Sequence, residues 1–173
     1  MAHEAQKKFC ESVKALYSQY FFEKHVLDVG SLDVNGNNRY LFTDCKYVGI
    51  DLIEGPNVDH VCPAHEWMKP FKSVYDTIIS TESFEHDKDL PWTLQAICRL
   101  LKPGGFFLFT CATTGRPEHG THNASPDASP ATNGFYQNVT MHDIMNVIDI
   151  EKFFTDFSFQ VNGDDLYFYG VKR

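Results

Sequence analysis

No stretch of this 173-residue sequence is apolar for long enough to span a membrane, and its polar first residues carry no signal-peptide core. The expectation is a cytoplasmic protein without membrane contact. No C-x-x-C pair occurs, and the five cysteines (Cys10, Cys45, Cys62, Cys98 and Cys111) are an odd number. A disulfide framework is therefore disfavoured; Cys62, Cys98 and Cys111, in or beside apolar segments, read as reduced and buried. Positive charge is sparse. Fifteen Lys and Arg stand against 23 Asp and Glu, the formal net charge is −8, and there is no basic run. Such a surface repels phosphates, which weighs against nucleic acid as a partner while leaving a locally basic cleft open. There is no internal repeat and no sign of a second domain. At this length one domain, residues 1–173, can bury a full core.

What is present is alternation. Phe9, Val13, Leu16, Tyr17 and Tyr20 recur at helical spacing, so the first twenty or so residues, within 1–24, are expected to form an amphipathic helix. Strand-like apolar runs follow at Val26–Val29, Tyr47–Ile50, Val58–Cys62, Tyr75–Ile79 and Phe106–Cys111. Between the last two, Asp89 reads as an N-cap and Pro91 suits a first helical turn. Leu90, Leu94, Ile97 and Leu101 stripe one face, and Lys102-Pro103-Gly104-Gly105 ends it. Residues 113–138 are rich in Gly, Pro, Ser, Thr and Asn; so long a loop in so small a domain reads as an active-site loop or, in the alternative, a disordered segment. Thr140 and Asp143 form a variant capping box, after which Met141, Ile144, Met145 and Ile148 share a helical face. Two aromatic strands, Phe157–Val161 and Leu166–Val171, close the chain around Asn162-Gly163-Asp164, a hairpin turn. This order implies an α/β fold: a doubly wound, mostly parallel sheet with helices on both faces and an antiparallel C-terminal hairpin strand.

In such a sheet ligands bind beyond the carboxyl ends of the strands. The first strand ends in Asp28-Val29-Gly30-Ser31 and the second in Gly49-Ile50-Asp51-Leu52. A carboxylate about twenty positions after a glycine turn suits a ribose diol, and so a nucleoside-containing cofactor. The G-x-G-x-x-G that seats a pyrophosphate on a helix N-terminus is missing, because Leu32 and Val34 stand where glycines would recur and the next glycine is Gly36, after Asn35. A nicotinamide-dependent oxidoreductase is thereby disfavoured. A cofactor without phosphates needs no such pattern.

The runs VLDVGS, YVGIDL, YDTIISTESFEH and LKPGGFFLFT, in this order over roughly residues 26–112, resemble class I S-adenosylmethionine-dependent methyltransferases of the small, single-domain, type 11-like kind. The resemblance implies a seven-stranded Rossmann-like sheet and S-adenosylmethionine as cofactor. It implies a cofactor site drawn from Asp28, Gly30, Ser31, Gly36, Asp51, Leu52, Ala64, His65, Thr81 and Glu82. At Pro63 the sequence departs from the family, which often places an acid there beside the adenine; the base is left to the Ala64 N–H or to His65. The fourth strand's end, facing the transferred methyl group, carries Glu82, Glu85 and His86, which share a face if they begin a helical turn. His86 and His119 are the candidate catalytic residues. In a minority of the resembling enzymes, among them quinone-biosynthesis and small-RNA methyltransferases, this stretch resembles a divalent-metal site, which makes Glu82, Glu85, His86 and His119, or His122, candidate ligands for Mg²⁺ or Mn²⁺. The acceptor is expected to be a small molecule; its identity and the oligomeric state stay open. The second reading is a catalytically degenerate cofactor-binding protein with a regulatory or scaffold role.

Overall fold

The computed structural model describes residues 4–132 and 134–173. Seven strands form one sheet: β1 (His25–Val29), β2 (Lys46–Asp51), β3 (His60–Val61), β4 (Tyr75–Thr81), β5 (Leu101–Ala112), β6 (Phe154–Asn162) and β7 (Asp165–Lys172). Their spatial order is β3-β2-β1-β4-β5-β7-β6. β1 runs parallel to β2 and β4, β2 to β3, and β4 to β5, while β7 is antiparallel to both β5 and β6. The chain leaves β1 toward one side and β4 toward the other, so the crevice where strand order reverses lies above their carboxyl ends.

Strand alternation builds two cores. Val26, Ile79, Phe106 and Leu108 point to one face, where helix α1 (Glu4–Leu16) packs Phe9, Cys10 and Val13 against them. Leu27, Ile78, Phe107 and Phe109 point to the other. There α2 (Leu90–Leu100) contributes Leu94 and Ile97, and α3 (Met141–Val147) contributes Ile144. A four-residue helix, α4 (Ile150–Phe153), leads into β6.

The expected elements are present with local departures. The N-terminal helix stops at Leu16; a 3₁₀ turn at Ser18–Tyr20 carries the chain onward, and the Tyr20 carbonyl accepts from Thr77 Oγ1 at 2.7 Å. The third strand shrinks from Val58–Cys62 to two residues, because Val58 N–H turns back to the Gly55 carbonyl and Pro63 has no N–H to extend the ladder. Asp89 holds the N-cap position of α2 without a side-chain cap bond; the Asp87 carboxylate instead accepts from Asp89 N–H at 2.8 Å. The Thr140–Asp143 capping box forms in full. Met141 and Met145, however, are exposed, since α3 is only two turns long and Ile144 with Ile148 meets the core. Cys98 and Cys111 are buried as expected, whereas Cys62 is half-buried; all five cysteines are free. Among the described residues no helix is long and apolar enough to cross a membrane.

Candidate active site

A cavity of about 840 Å³ opens above the carboxyl ends of β1, β2 and β4. Gly30 lines it, with φ at +75°. A Cβ at this position would lie 2.0 Å from Ser83 Oγ, so the glycine is demanded by the approach of the segment after β4 as well as by the turn. Asp51 lines the cavity at the end of β2. Its Oδ2 accepts from Leu32 N–H at 3.0 Å and its Oδ1 from Leu52 N–H at 2.7 Å. Burial raises the Asp51 carboxyl above its ordinary value, and the Leu32, Leu52 and Ile53 amides oppose the rise. The carboxylate keeps acceptor capacity beyond these amides and can accept a further hydrogen bond. Leu52, Cys62, Pro63, Ala64 and His65 form the wall beyond it.

Four other residues expected at the cofactor lie outside the cavity lining. Asp28 is buried beneath it. Its Oδ2 accepts from Tyr47 Oη at 2.5 Å and from Asn57 Nδ2 at 3.3 Å, and burial pushes its carboxyl up to about 7. Ser31 is buried with its carbonyl accepting from Asn57 Nδ2 at 2.8 Å. Gly36 is held by Asp33, whose Oδ1 accepts the Gly36 N–H at 2.6 Å. Thr81 accepts from Asn38 Nδ2 at 2.8 Å. Except at Gly36, held from within its own turn, a side chain distant in sequence has claimed the group. Leu32 and Val34, which replace the glycines of the family loop, line the cavity instead.

Past β4 the chain makes one 3₁₀ turn, Phe84–His86, rather than the helical turn expected. Glu82 takes a left-handed conformation, φ +52°, with its N–H on the Thr110 carbonyl and its Oε1 accepting from Thr110 Oγ1 at 2.8 Å. This points Glu82 and His86 into the cavity lining and turns Glu85 into the protein. Glu85 is fully buried, and neither carboxylate oxygen has a hydrogen-bond partner. Burial, reinforced by the Glu82 charge, pushes its carboxyl up to about 8. His86 is buried, with no partner at hydrogen-bonding geometry for either ring nitrogen. Burial and the neighbouring His119 ring lower it to about 4, against weaker pulls from Phe135 and Glu82.

The loop over residues 113–138 forms the far wall of the cavity. Residues 128–132, Gly134 and Phe135 line it, as does the exposed His122. It is tied to the β6–β7 hairpin by Arg116, whose Nη1 lies 3.2 Å from Asp164 and 3.3 Å from Asp165. His119 stands behind His86, ring centroids 5.0 Å apart, with Nε2 at 4.0 Å from Glu85 Oε1; Tyr136 packs on both imidazoles. Sequence reading overlooked Ser83, Lys88 and the pair Tyr47–Asn57. Of these, the glycine at Gly30 was the one local signal, since it marks a close approach without saying by what.

A doubly wound sheet, a cavity at its reversal point and a strand-end carboxylate without a phosphate loop define a class of nucleoside-cofactor domains. The assignment is then narrower: residues 1–150 match the methyltransferase domain family, and the chain belongs to it. It is 31% identical over 124 residues to a sarcosine/dimethylglycine N-methyltransferase of Halorhodospira halochloris, covering 62% of this chain and 44% of that protein. The chain thus spans under half the length of this curated relative. Among solved structures it is similar in fold to the 1,6-didemethyltoxoflavin-N1-methyltransferase of Burkholderia thailandensis, bound to S-adenosylhomocysteine (TM-score 0.64, 16% identity, 94% of this chain and 77% of that one). It is likewise similar to phosphoethanolamine N-methyltransferase 2 of Haemonchus contortus in complex with S-adenosyl-L-methionine (TM-score 0.65, 16% identity, 95% and 52%).

Proposed function

We propose that this protein is an S-adenosylmethionine-dependent methyltransferase acting on a small-molecule acceptor. The observation that carries the reading is Asp51: a strand-end carboxylate held by two backbone amides, lining a cavity where the sheet's order reverses, in a chain of the methyltransferase domain family. Asp51 takes the ribose hydroxyls, Gly30 admits the methionine portion, and Ala64 and His65 border the adenine. Asp28, Ser31, Gly36 and Thr81 shape that floor from beneath. The named relatives act on small amines and heterocycles, and a cavity of about 840 Å³ has room for cofactor and a small acceptor together. On the acceptor side His86 borders the space for the reacting atom, His119 backs it from behind, and the 113–138 loop is the cover. Methyl transfer from a sulfonium is an in-line displacement, so alignment and disposal of the acceptor proton are the protein's main tasks. The five free cysteines support a reducing, cytoplasmic setting.

Calorimetry with S-adenosylmethionine and S-adenosylhomocysteine tests the cofactor half, and release of S-adenosylhomocysteine from a panel of small amines, phenols and acids tests the acceptor half. Micromolar binding with acceptor-dependent turnover is expected. No binding at millimolar cofactor would overturn the reading. Binding without turnover would favour a regulatory protein, and saturable NAD binding instead would favour an oxidoreductase.

A further inference from the structure

We infer that Asn57, aimed by Arg39, is a positioning residue for the methionine portion of the cofactor: it fixes the Gly30–Leu32 segment from behind, where this loop lacks recurring glycines. The inference rests on the cofactor site proposed above. Asn57 stands in the turn between β2 and β3, half-buried and left-handed at φ +70°. Arg39 Nε donates to Asn57 Oδ1 at 2.8 Å. A guanidinium only donates, so it settles the amide's orientation: Oδ1 toward Arg39, Nδ2 toward the loop. Nδ2 then donates to the Ser31 carbonyl at 2.8 Å and to Asp28 Oδ2 at 3.3 Å. Arg39 is itself held by Asp59 Oδ2 at 3.0 Å and lies over the Tyr47 ring at 4.4 Å, and Tyr47 donates to Asp28. Arg39, Asn57, Asp28 and Tyr47 thus close a ring of contacts under the cavity floor.

The turn touches three consecutive loop residues. Asn57 reaches the Ser31 carbonyl, and the Pro56 carbonyl accepts from Asp33 N–H at 2.9 Å. Gly55 packs on Leu32 between them, where a Cβ would lie 2.3 Å from Leu32 Cδ1. Gly49 lets the turn come this close, since a Cβ there would lie 2.2 Å from the Asn57 carbonyl oxygen. From the other side β2 takes the loop's amides: Gly30 and Ser31 N–H both donate to the Ile50 carbonyl, and Leu32 N–H to Asp51. Gly30 and Leu32 line the cavity, and Ser31 is buried between them. A shift at Ser31 therefore moves both flanking residues that the cofactor meets. Recurring glycines would let the backbone approach the cofactor on their own. With Leu32 and Val34 in their place, the loop's path is imposed from outside, and Asn57 is the side chain that imposes it. The ribose end is anchored separately, because Asp51 keeps its place on β2 and its bond to the Leu52 amide.

The test compares ligands with and without the amino-acid portion. Calorimetry on the full chain measures S-adenosylhomocysteine and 5′-methylthioadenosine, which keeps only adenine, ribose and the thioether. Asn57→Gly suits the left-handed backbone, so it deletes the amide without strain. Asn57→Asp keeps an acceptor for Arg39 and loses the donor to Ser31. Both should weaken S-adenosylhomocysteine roughly five- to tenfold, the scale of one lost hydrogen bond, and methylthioadenosine by no more than about twofold. A merely structural role would lower the two affinities alike. Arg39→Met should show the same selective loss. Asn57→Gly/Arg39→Met should lose no more than Asn57→Gly alone, because Arg39 acts through the amide; this coupling is read from S-adenosylhomocysteine by itself. Equal losses for both ligands, no loss, or additive losses in the double variant would overturn this inference alone. A wild type that binds neither ligand would overturn the methyltransferase reading and this inference with it.

Discussion

Tyr47 donates its phenol to Asp28 at 2.5 Å, a bond running diagonally between β1 and β2 under the floor of the cavity. It removes from the solvent-facing site the very carboxylate that the sequence places there, and it makes Asp28 a titrating element of the fold. Burial pushes the Asp28 carboxyl up to about 7, from an ordinary value of 3.8 in the unfolded chain. The folded protein therefore holds this proton more tightly than the unfolded chain does. Its stabilising contribution is fully present below about pH 4 and is lost as pH rises through about 7. Asp28→Asn keeps an acceptor for Tyr47 and abolishes the titration. Thermal melts from pH 4 to 8 should show the wild type losing on the order of 4 kcal/mol relative to the variant across that window. Parallel curves would mean that Asp28 does not titrate there.

Asp51→Ala should weaken S-adenosylmethionine binding by about 1–3 kcal/mol, the range for an unmade buried hydrogen-bond set. The variant also strands the Leu32 and Leu52 amides, which the carboxylate now satisfies. Asp51→Asn separates these effects: it keeps one acceptor oxygen and should fall between wild type and Ala. Calorimetry on all three proteins measures the order; equal affinities would remove Asp51 from the cofactor site.

Gly30→Ala meets two obstacles of different origin. The φ of +75° costs an L-residue on the order of 1 kcal/mol. The collision with Ser83 Oγ adds a further cost from overpacking, about 1–3 kcal/mol. Gly30→Ala/Ser83→Gly removes the collision and leaves the backbone penalty. Denaturant unfolding should rank wild type, the double variant and Gly30→Ala in falling stability, and a double variant no better than the single would place the whole cost in the backbone.

What could be read from the chain alone divides along a physical line. Leu27, Ile78, Phe107 and Phe109 announce strands because period-two burial is a local pattern, and Thr140 with Asp143 announces a cap because both partners lie within one turn. The partners of Asp28 and Thr81 were illegible, since Tyr47, Asn57 and Asn38 reach them only through the packing of separate segments. The same holds for the Glu82–His86 stretch. Four-residue spacing suggested a shared helical face, but Thr110 on the next strand holds Glu82 in a left-handed turn, which sends Glu85 inward. His119 was nameable as a candidate from the loop's composition; its distance to Glu85 was not.

That loop supplies the last prediction. Gly120 sits at φ +66°, and a Cβ would meet both His86 Cε1 and Ser129 Cβ at 2.7 Å. Ser129 belongs to the loop and can shift with it, whereas His86 is buried in the 3₁₀ turn that follows β4. Gly120→Ala should therefore push the loop off the sheet edge rather than distort the core. The melting temperature of the variant should change by no more than a few degrees, while cleavage between residues 114 and 137 by a nonspecific protease should accelerate severalfold. In the wild type, cofactor together with an acceptor should slow that cleavage; in the variant the protection should be lost even with the cofactor bound. A large fall in melting temperature with unaltered cleavage would show that Gly120 serves the core, and that the cover over the cavity does not depend on its contact with His86.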